Sequence, residues 1–297
     1  MSKIRHFYNS LYNHTWRLAF LGNTIENLVN GEDINLIIVD LPFKNRWFAD
    51  PFILDVTESE IILLCEEYSD SLCRGRIAKV FIDRQSLTIR DWKIILDLPT
   101  HLSFPVILRL NDEVYIYPEN SQNGGLKMYK YNKETDDVSF VKDIINIPVT
   151  DAIICKNLFG KDNTYLFATT TEDPNGPVLN VYKECSGKFE IQQRCVFSEN
   201  IARMAGDFFY IKDKVYRPAQ ECNHEYGHAI DIQRVYLDDN NLIKFNSIRR
   251  IESPCKHLGL GMHTINNFKD VVVVDLKGYR HPKLVKVINF LKKVLFI

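Results

Sequence analysis

Five short motifs carry most of the chemistry this chain can do: Ala49-Asp50-Pro51-Phe52, His101-Leu102-Ser103-Phe104-Pro105, Tyr117-Pro118-Glu119, Arg217-Pro218-Ala219-Gln220 and Gly261-Met262-His263-Thr264. Each lies beside a run of alternating apolar and polar residues, so each is expected at the end of a β-strand. Acids, arginines and histidines delivered from separate strands to one place make a pocket for a hydroxyl-rich or phosphate-bearing ligand. Asp50 and Glu119 are the candidate catalytic pair. Glycosidic-bond chemistry passes through an oxocarbenium-like state that one carboxylate stabilises or attacks, while a second group of tuned pKa handles the exchanging proton. Arg203, Arg217 and His263 form a complementary set, because a guanidinium grips phosphate or carboxylate as a two-pronged fork. His101, Asp151 and Gln220 are lesser candidates for hydrogen bonds to sugar hydroxyls. The bland readings are concrete too: Asp-Pro starts turns, Pro-Glu can end a strand, and buried arginines tie neighbouring elements together.

His224-Glu225-Tyr226-Gly227-His228 is a literal H-E-x-x-H, which on a helix would set two zinc ligands one turn apart. Gly227 weakens a helix, and the residues that follow alternate as a strand does. Extended, the two histidines would stand about 13 Å apart, too far to share a zinc. Tyr226-Gly227 reads as a tight structural turn. No two aspartates sit two positions apart, and P-loop, G-x-G-x-x-G and G-x-S-x-G patterns are missing. A Rossmann-like transferase is therefore disfavoured. No metal or cofactor is expected.

The elements that must position these residues are short strands. Expected strands are 52–54, 60–65, 77–82, 106–110, 113–117 and 126–131 in the first half. In the second half they are 165–169, 178–182, 207–211, 214–216, 229–237 and 271–274. Blocks of one polar motif and two or three strands recur roughly every 45–60 residues, the range of propeller blades. That spacing divides the chain into about five blades, although no strict sequence repeat is visible. The expected fold is all-β, a five-bladed β-propeller over residues 1–280, followed by a short amphipathic C-terminal helix over 281–297.

The ordered set Ala49–Phe52, Leu63-Leu64-Cys65-Glu66, His101–Pro105, Tyr117–Asn120, Tyr165–Phe167, Arg203–Gly206, Arg217–Gln220, Tyr226-Gly227 and Gly261–Thr264 resembles the five-bladed propeller domain of plant glucosamine inositolphosphorylceramide transferases and its bacterial relatives. More distantly it is similar to the furanosidase-type propellers of glycoside hydrolase family 43. The resemblance spans roughly Trp16 to Asp275. It implies that Asp50 holds the glycosidases' blade-one Asp-Pro position, whereas Glu119 matches the family's Pro-Glu without a secure counterpart to their acid. The plant proteins carry a second catalytic domain. None is expected here, so the propeller would act alone or with a partner.

The formal net charge is −1, which argues against a nucleic-acid binder with a broad basic field. Seven cysteines without a C-x-x-C pair read as buried, reduced thiols. The amino terminus lacks the continuous apolar core of a secretory signal, so a cytoplasmic location is expected. Lys283–Ile297 places Leu284, Val287, Ile288, Leu291, Val294 and Leu295 at helical spacing, with Lys283, Lys286, Lys292 and Lys293 unopposed by acid. This is the pattern of a helix lying on anionic lipid at the inner membrane; a terminal helix packed on its own domain is the alternative. The leading functional expectation is a metal-independent glycosyltransferase of bacterial cell-surface polysaccharide assembly, acting on a nucleotide-sugar donor and a glycan acceptor. A furanosidase-type glycoside hydrolase using Asp50 and Glu119, and a non-catalytic glycan-binding propeller, are the alternatives.

Overall fold

A computed structural model describes residues 14–160 and 162–295, with the side chains of 289 and 291–295 excepted. The described residues begin with β1 (His14–Leu21), the short helix α1 (Ile25–Val29) and β2 (Leu36–Ile38). Blade one follows as β3 (Arg46–Val56), β4 (Glu60–Ser69), β5 (Arg74–Asp83) and β6 (Ile89–Leu96). Blade two is β7 (Ser103–Leu110), β8 (Glu113–Glu119), β9 (Leu126–Tyr131) and β10 (Val138–Ile145). Blade three is β11 (Val149–Lys156), β12 (Thr164–Thr170), β13 (Val178–Cys185) and β14 (Lys188–Val196). Blade four is β15 (Phe209–Ile211), β16 (Lys214–Glu221), β17 (Ala229–Leu237) and β18 (Ile243–Ile251). Blade five contains β19 (Ile265–Phe268) and β20 (Val271–Tyr279), and helix α2 (Pro282–Leu295) ends the chain. Five four-stranded antiparallel sheets result, and the fifth has the order β19-β20-β1-β2. The first strand among the described residues thus completes the last blade, pairing with β20 from His14↔Tyr279 to Leu21↔Val272.

Burial explains why the strands read as they do. A blade packs a neighbour on each face, so its inner strands must be apolar on both. Val271 and Val273 of β20 join the core shared with blade one, whereas Val272 and Val274 join the core shared with blade four. The strands missing from the sequence expectation include the outermost ones, β6, β10, β14 and β18. Their residues are largely exposed or half-exposed, and apolar side chains such as Phe140 and Val141 of β10 face solvent, so hydrophobic periodicity gives little sign of them.

The inner strands of blades one to three share one irregularity. Between Ala49 and Phe52, Ser103 and Val106, and Thr150 and Ile153, one extra residue is inserted relative to the partner strand. Asp50, Phe104 and Asp151 sit in these bulges in the left-handed region, with φ of 50°, 46° and 45°. Ala49–Phe52 therefore lies inside β3, and Arg217–Gln220 inside β16, rather than at strand ends.

Of the cysteines, all seven are free and Cys65, Cys155, Cys195 and Cys222 are buried, but Cys73 and Cys185 are exposed. No helix among the described residues is long and apolar enough to cross a membrane. The expectation for residues 1–13 lies outside the described residues, as do the side chains of Leu291, Lys292, Lys293, Val294, Leu295 and Ile297.

Candidate active site

The three bulges fall near the start of their inner strands, and so at the same end of the propeller axis. Each turns a backbone N–H toward a carboxyl carried by the preceding blade. Asp50 donates to Asp275 Oδ2 at 2.9 Å, Phe104 to Asp50 Oδ2 at 3.0 Å, and Asp151 to Glu119 Oε2 at 2.9 Å. A left-handed residue other than glycine costs about 1–2 kcal/mol. A hydrogen bond to a charged acceptor contributes about 1.5–3 kcal/mol, enough to hold the bulges whose N–H groups face Asp275 and Asp50. The bulge is thus the device by which one blade presents its polar group to the next.

Two networks meet at this end. In the first, Asp50 receives Thr264 Oγ1 at 2.9 Å and faces His263 Nε2 at 3.3 Å. His263 Nδ1 lies 2.7 Å from Asp275 Oδ1, which also accepts the backbone N–H groups of His263 and Thr264. Burial pushes Asp50 up to about 6; His263 opposes the rise, while Asp151 and Asp275 add to it. Burial alone would depress His263, but Asp275 and Asp50 outweigh it and raise its pKa. The imidazole therefore sits between two carboxyl groups that favour its charged form. Asp50, His263 and Asp275 bring ligand-type atoms within 4.8 Å of one another, a donor set of the kind that holds divalent cations. Both imidazole nitrogens are turned onto the carboxyl groups, Nε2 toward Asp50 and Nδ1 toward Asp275.

In the second network, Asp151 Oδ2 accepts Arg203 Nε and Gln220 Nε2, both at 2.6 Å. Arg203 Nη1 also donates to Asn175 Oδ1 at 2.9 Å. Glu119 keeps some exposure at the rim, and burial followed by repulsion from Asp151 raises it to about 8. Tyr226 joins the two networks. Arg203 Cζ lies 4.7 Å from its ring centroid, and the ring meets His263 edge-on at 5.3 Å. Trp16 of β1 stacks on His263 at 3.9 Å.

Glu66 and His101 form an adjoining pair. His101 Nδ1 accepts the Gly75 N–H at 2.9 Å, leaving Nε2 to face Glu66 Oε1 at 3.3 Å. A Cβ at Gly75 would lie 2.4 Å from Glu66 Oε1, so the approach requires glycine. Burial, then Asp50 and Glu119, raise Glu66 well above the usual carboxylate range. Glu66 Oε1 and Gln220 Oε1 are buried polar atoms without a hydrogen-bond partner among the described residues.

The structure brings together Asp50, His101, Glu119, Asp151, Arg203, Gln220 and His263 from the sequence expectation. Arg217 is the exception. It is fully buried, and its guanidinium donates to Gln233 Oε1 and to the carbonyls of Ala202 and Ile201, packed between Phe197 and Phe245. Residues three apart on a strand face opposite sides, so Gln220 reaches Asp151 while Arg217 braces blade four. The spacing expected for His224 and His228 also needs correction. Their rings lie 5.4 Å apart, because the chain doubles back through Gly227 at φ 64°. The segment is not helical, and His228 Nδ1 lies 3.1 Å from both Glu221 Oε2 and Arg250 Nη2.

Glu66, Thr264, Asp275, Tyr226 and Trp16 were not among the expected site residues. Tyr226 had read as part of a turn, and it is, but the turn aims its ring. Asp275 carried a usable signal, an acid closing the apolar run Val271–Val274.

Fold and site together define a five-bladed propeller with carboxyls and, among the described residues, Arg203 gathered at one end of its axis. Residues 36–258 match the family model for the amino-terminal domain of glucosamine inositolphosphorylceramide transferase 1, and the chain belongs to that family. It is 24% identical over 209 residues to glucosamine inositolphosphorylceramide transferase 1 of Oryza sativa subsp. indica, covering 65% of this chain and 27% of that protein. It is 25% identical over 235 residues to the Arabidopsis thaliana protein of the same name, covering 74% and 29%. The chain thus spans less than a third of the length of these relatives. Among solved structures, it resembles an α-L-arabinofuranosidase from Clostridium thermocellum, with TM-score 0.50, 14% identity and coverage of 76% and 80%. It also resembles a family 43 β-xylosidase/α-arabinofuranosidase from a compost metagenome, with TM-score 0.51, 10% identity and coverage of 77% and 84%. Identity this low speaks for the fold alone.

Proposed function

We propose that this domain transfers a glycosyl group, with Glu119 handling the proton of the exchanging oxygen and Asp50 facing the positive charge that develops on the sugar. The divergence of the two carboxyls carries this reading. With Asp50 near about 6 and Glu119 near about 8, one is ionised and the other protonated at neutral pH, the split that separates nucleophile or base from acid. The Asp151 backbone N–H and the Ser121 hydroxyl hold Glu119 in place. Gln220 Oε1, buried without a hydrogen-bond partner among the described residues, suits a sugar hydroxyl, since a buried polar atom left without a partner costs about 1–3 kcal/mol. Arg203 suits a phosphate of an activated donor such as a nucleotide sugar, with no metal step required. The acceptor would be a glycan of the bacterial cell surface, built at the cytoplasmic face of the inner membrane. Helix α2, with exposed Lys283 and Lys286, supports that setting.

Hydrolysis is the second reading, and the withdrawal of Arg217 favours it, because Arg203 is then the one arginine beside these carboxyls. The test is incubation with a panel of nucleotide sugars plus oligosaccharide acceptors, and separately with aryl furanosides and pyranosides. The transferase reading expects acceptor-dependent product that Asp50→Asn and Glu119→Gln each reduce at least 100-fold, as loss of acid–base assistance does, in protein that circular dichroism shows to be folded. Release of free sugar from glycosides without an acceptor would replace it by the hydrolase reading. Saturable glycan binding with no turnover in any arm would overturn both.

A further inference from the structure

We propose that a basic groove beside the ring closure seats the phosphate of an anionic lipid headgroup while helix α2 lies in the adjoining membrane interface. The inference deepens the membrane setting proposed above and falls with it.

The groove has a volume of about 530 Å³ and is lined in part by Arg17, Lys44, Arg46, His257, Arg280 and His281, with no acidic residue in its lining. Acids behind the wall fix two of these cations. Glu67 holds Arg46 at 2.9 Å, and Asp70 holds Arg280 through both carboxylate oxygens at 2.6 and 3.0 Å. Arg17 donates to the Leu41 carbonyl at 3.4 Å, and neither it nor exposed Lys44 has an ion-pair partner among the described residues. Two guanidiniums anchored by acids, Arg17 with a single carbonyl contact and Lys44 without an ion pair among the described residues surround one concavity and match a phosphate monoanion or dianion, which accepts several charge-assisted hydrogen bonds at once.

What identifies the phosphate as a lipid's is the groove's neighbour. Pro282, the first residue of α2, lines the groove, so the helix starts at its rim. Val285 packs against the propeller at 2% exposure, but Leu284, Val287 and Phe290 are 42%, 54% and 66% exposed. Spaced three apart, these side chains share one side of the helix, flanked by exposed Lys283 and Lys286. An apolar stripe bordered by lysines is the signature of a helix lying in a bilayer surface, and its charge selects anionic lipid. Groove and helix would then meet one membrane plane, the helix supplying apolar insertion and the groove a headgroup contact.

The test is flotation of the full chain with vesicles of phosphatidylcholine alone and of phosphatidylcholine with phosphatidylglycerol. The proposal expects binding to the anionic vesicles only. Arg17→Gln with Lys44→Gln should weaken it by more than tenfold, since each basic residue near an anionic leaflet gains about 1 kcal/mol, roughly a fivefold effect. The surface pair Lys188→Gln with Lys212→Gln should change it little. Should Arg17 prove necessary for folding, the exposed single variant Lys44→Glu must act in the same direction. If the groove variants bind as wild type while Val287→Asp with Phe290→Asp abolishes binding, the helix reading stands and the groove assignment is wrong. If the wild type ignores anionic vesicles, the membrane setting and the groove assignment fail together. Saturable binding of inorganic phosphate, equal with and without vesicles at constant ionic strength, would assign a free anion and overturn the lipid.

Discussion

Asp50 and Glu119 differ because of what surrounds each carboxyl. Asp50 accepts the Phe104 N–H and the Thr264 hydroxyl and faces His263, and donors of this kind stabilise the charged form against burial. Glu119 accepts the backbone N–H of Asp151, but the Asp151 carboxylate stands nearby and Arg203 is committed to that aspartate first. Its charged form therefore loses more. If both carboxyls act in one reaction, activity needs Asp50 ionised and Glu119 protonated. The pH profile should rise as pH increases through about 6 and fall as it passes about 8. A turnover rate still climbing well above pH 8 would show that Glu119 is not the proton-bearing group. Arg217 shows how residue type misleads. Its chemistry suited a phosphate, but its position on β16 turned it toward Gln233 and the Ile201 and Ala202 carbonyls.

At the scale of elements, the bulges and one turn do the positioning. Gly227 illustrates how tightly: a Cβ there would stand 2.5 Å from His263 Cβ, and its carbonyl accepts the Met262 N–H at 3.0 Å. Gly227→Ala should cost at least about 1–2 kcal/mol from the left-handed backbone alone, a fall of several degrees in thermal midpoint at roughly 2–4 °C per kcal/mol. Tyr226 and His263 should shift with it, so sugar binding should weaken as well. An unchanged midpoint in a thermal melt would refute this account of the turn. The same elements mark how far the sequence could be read. Short apolar strands with regular spacing announced the propeller, since a blade buried on both faces must be apolar throughout. Asp50, Glu119, Asp151, Arg203, Gln220 and His263 were legible because each is a polar residue within or beside such a run. Outer strands such as β10 were not, because solvent on them removes the hydrophobic period. Tyr226 looked like turn punctuation because its role depends on where the doubled-back chain aims the ring. The repeated bulge left no sequence repeat, since its position is filled by Asp50, Phe104 and Asp151 alike and what recurs is a backbone N–H.

At the scale of the molecule, closure of the ring is what makes a site out of these parts. β1 completes blade five and brings Trp16 onto His263. Asp275 of blade five then holds the bulge of blade one, Asp50 that of blade two, and Glu119 that of blade three. Blade four answers through Arg203 and Gln220 on Asp151. A carboxyl on one blade should therefore respond to a charge removed from another. The direct measurement is a nuclear magnetic resonance titration of the carboxyl carbons in protein labelled at glutamate. In the wild type, a carboxyl titrating near about 8 and lost in Glu119→Gln is expected, and it should move to lower pH in Asp151→Asn, which removes a repelling charge from a different blade. Titration of Glu119 near the free-peptide value of about 4.3, unmoved by Asp151→Asn, would contradict the account.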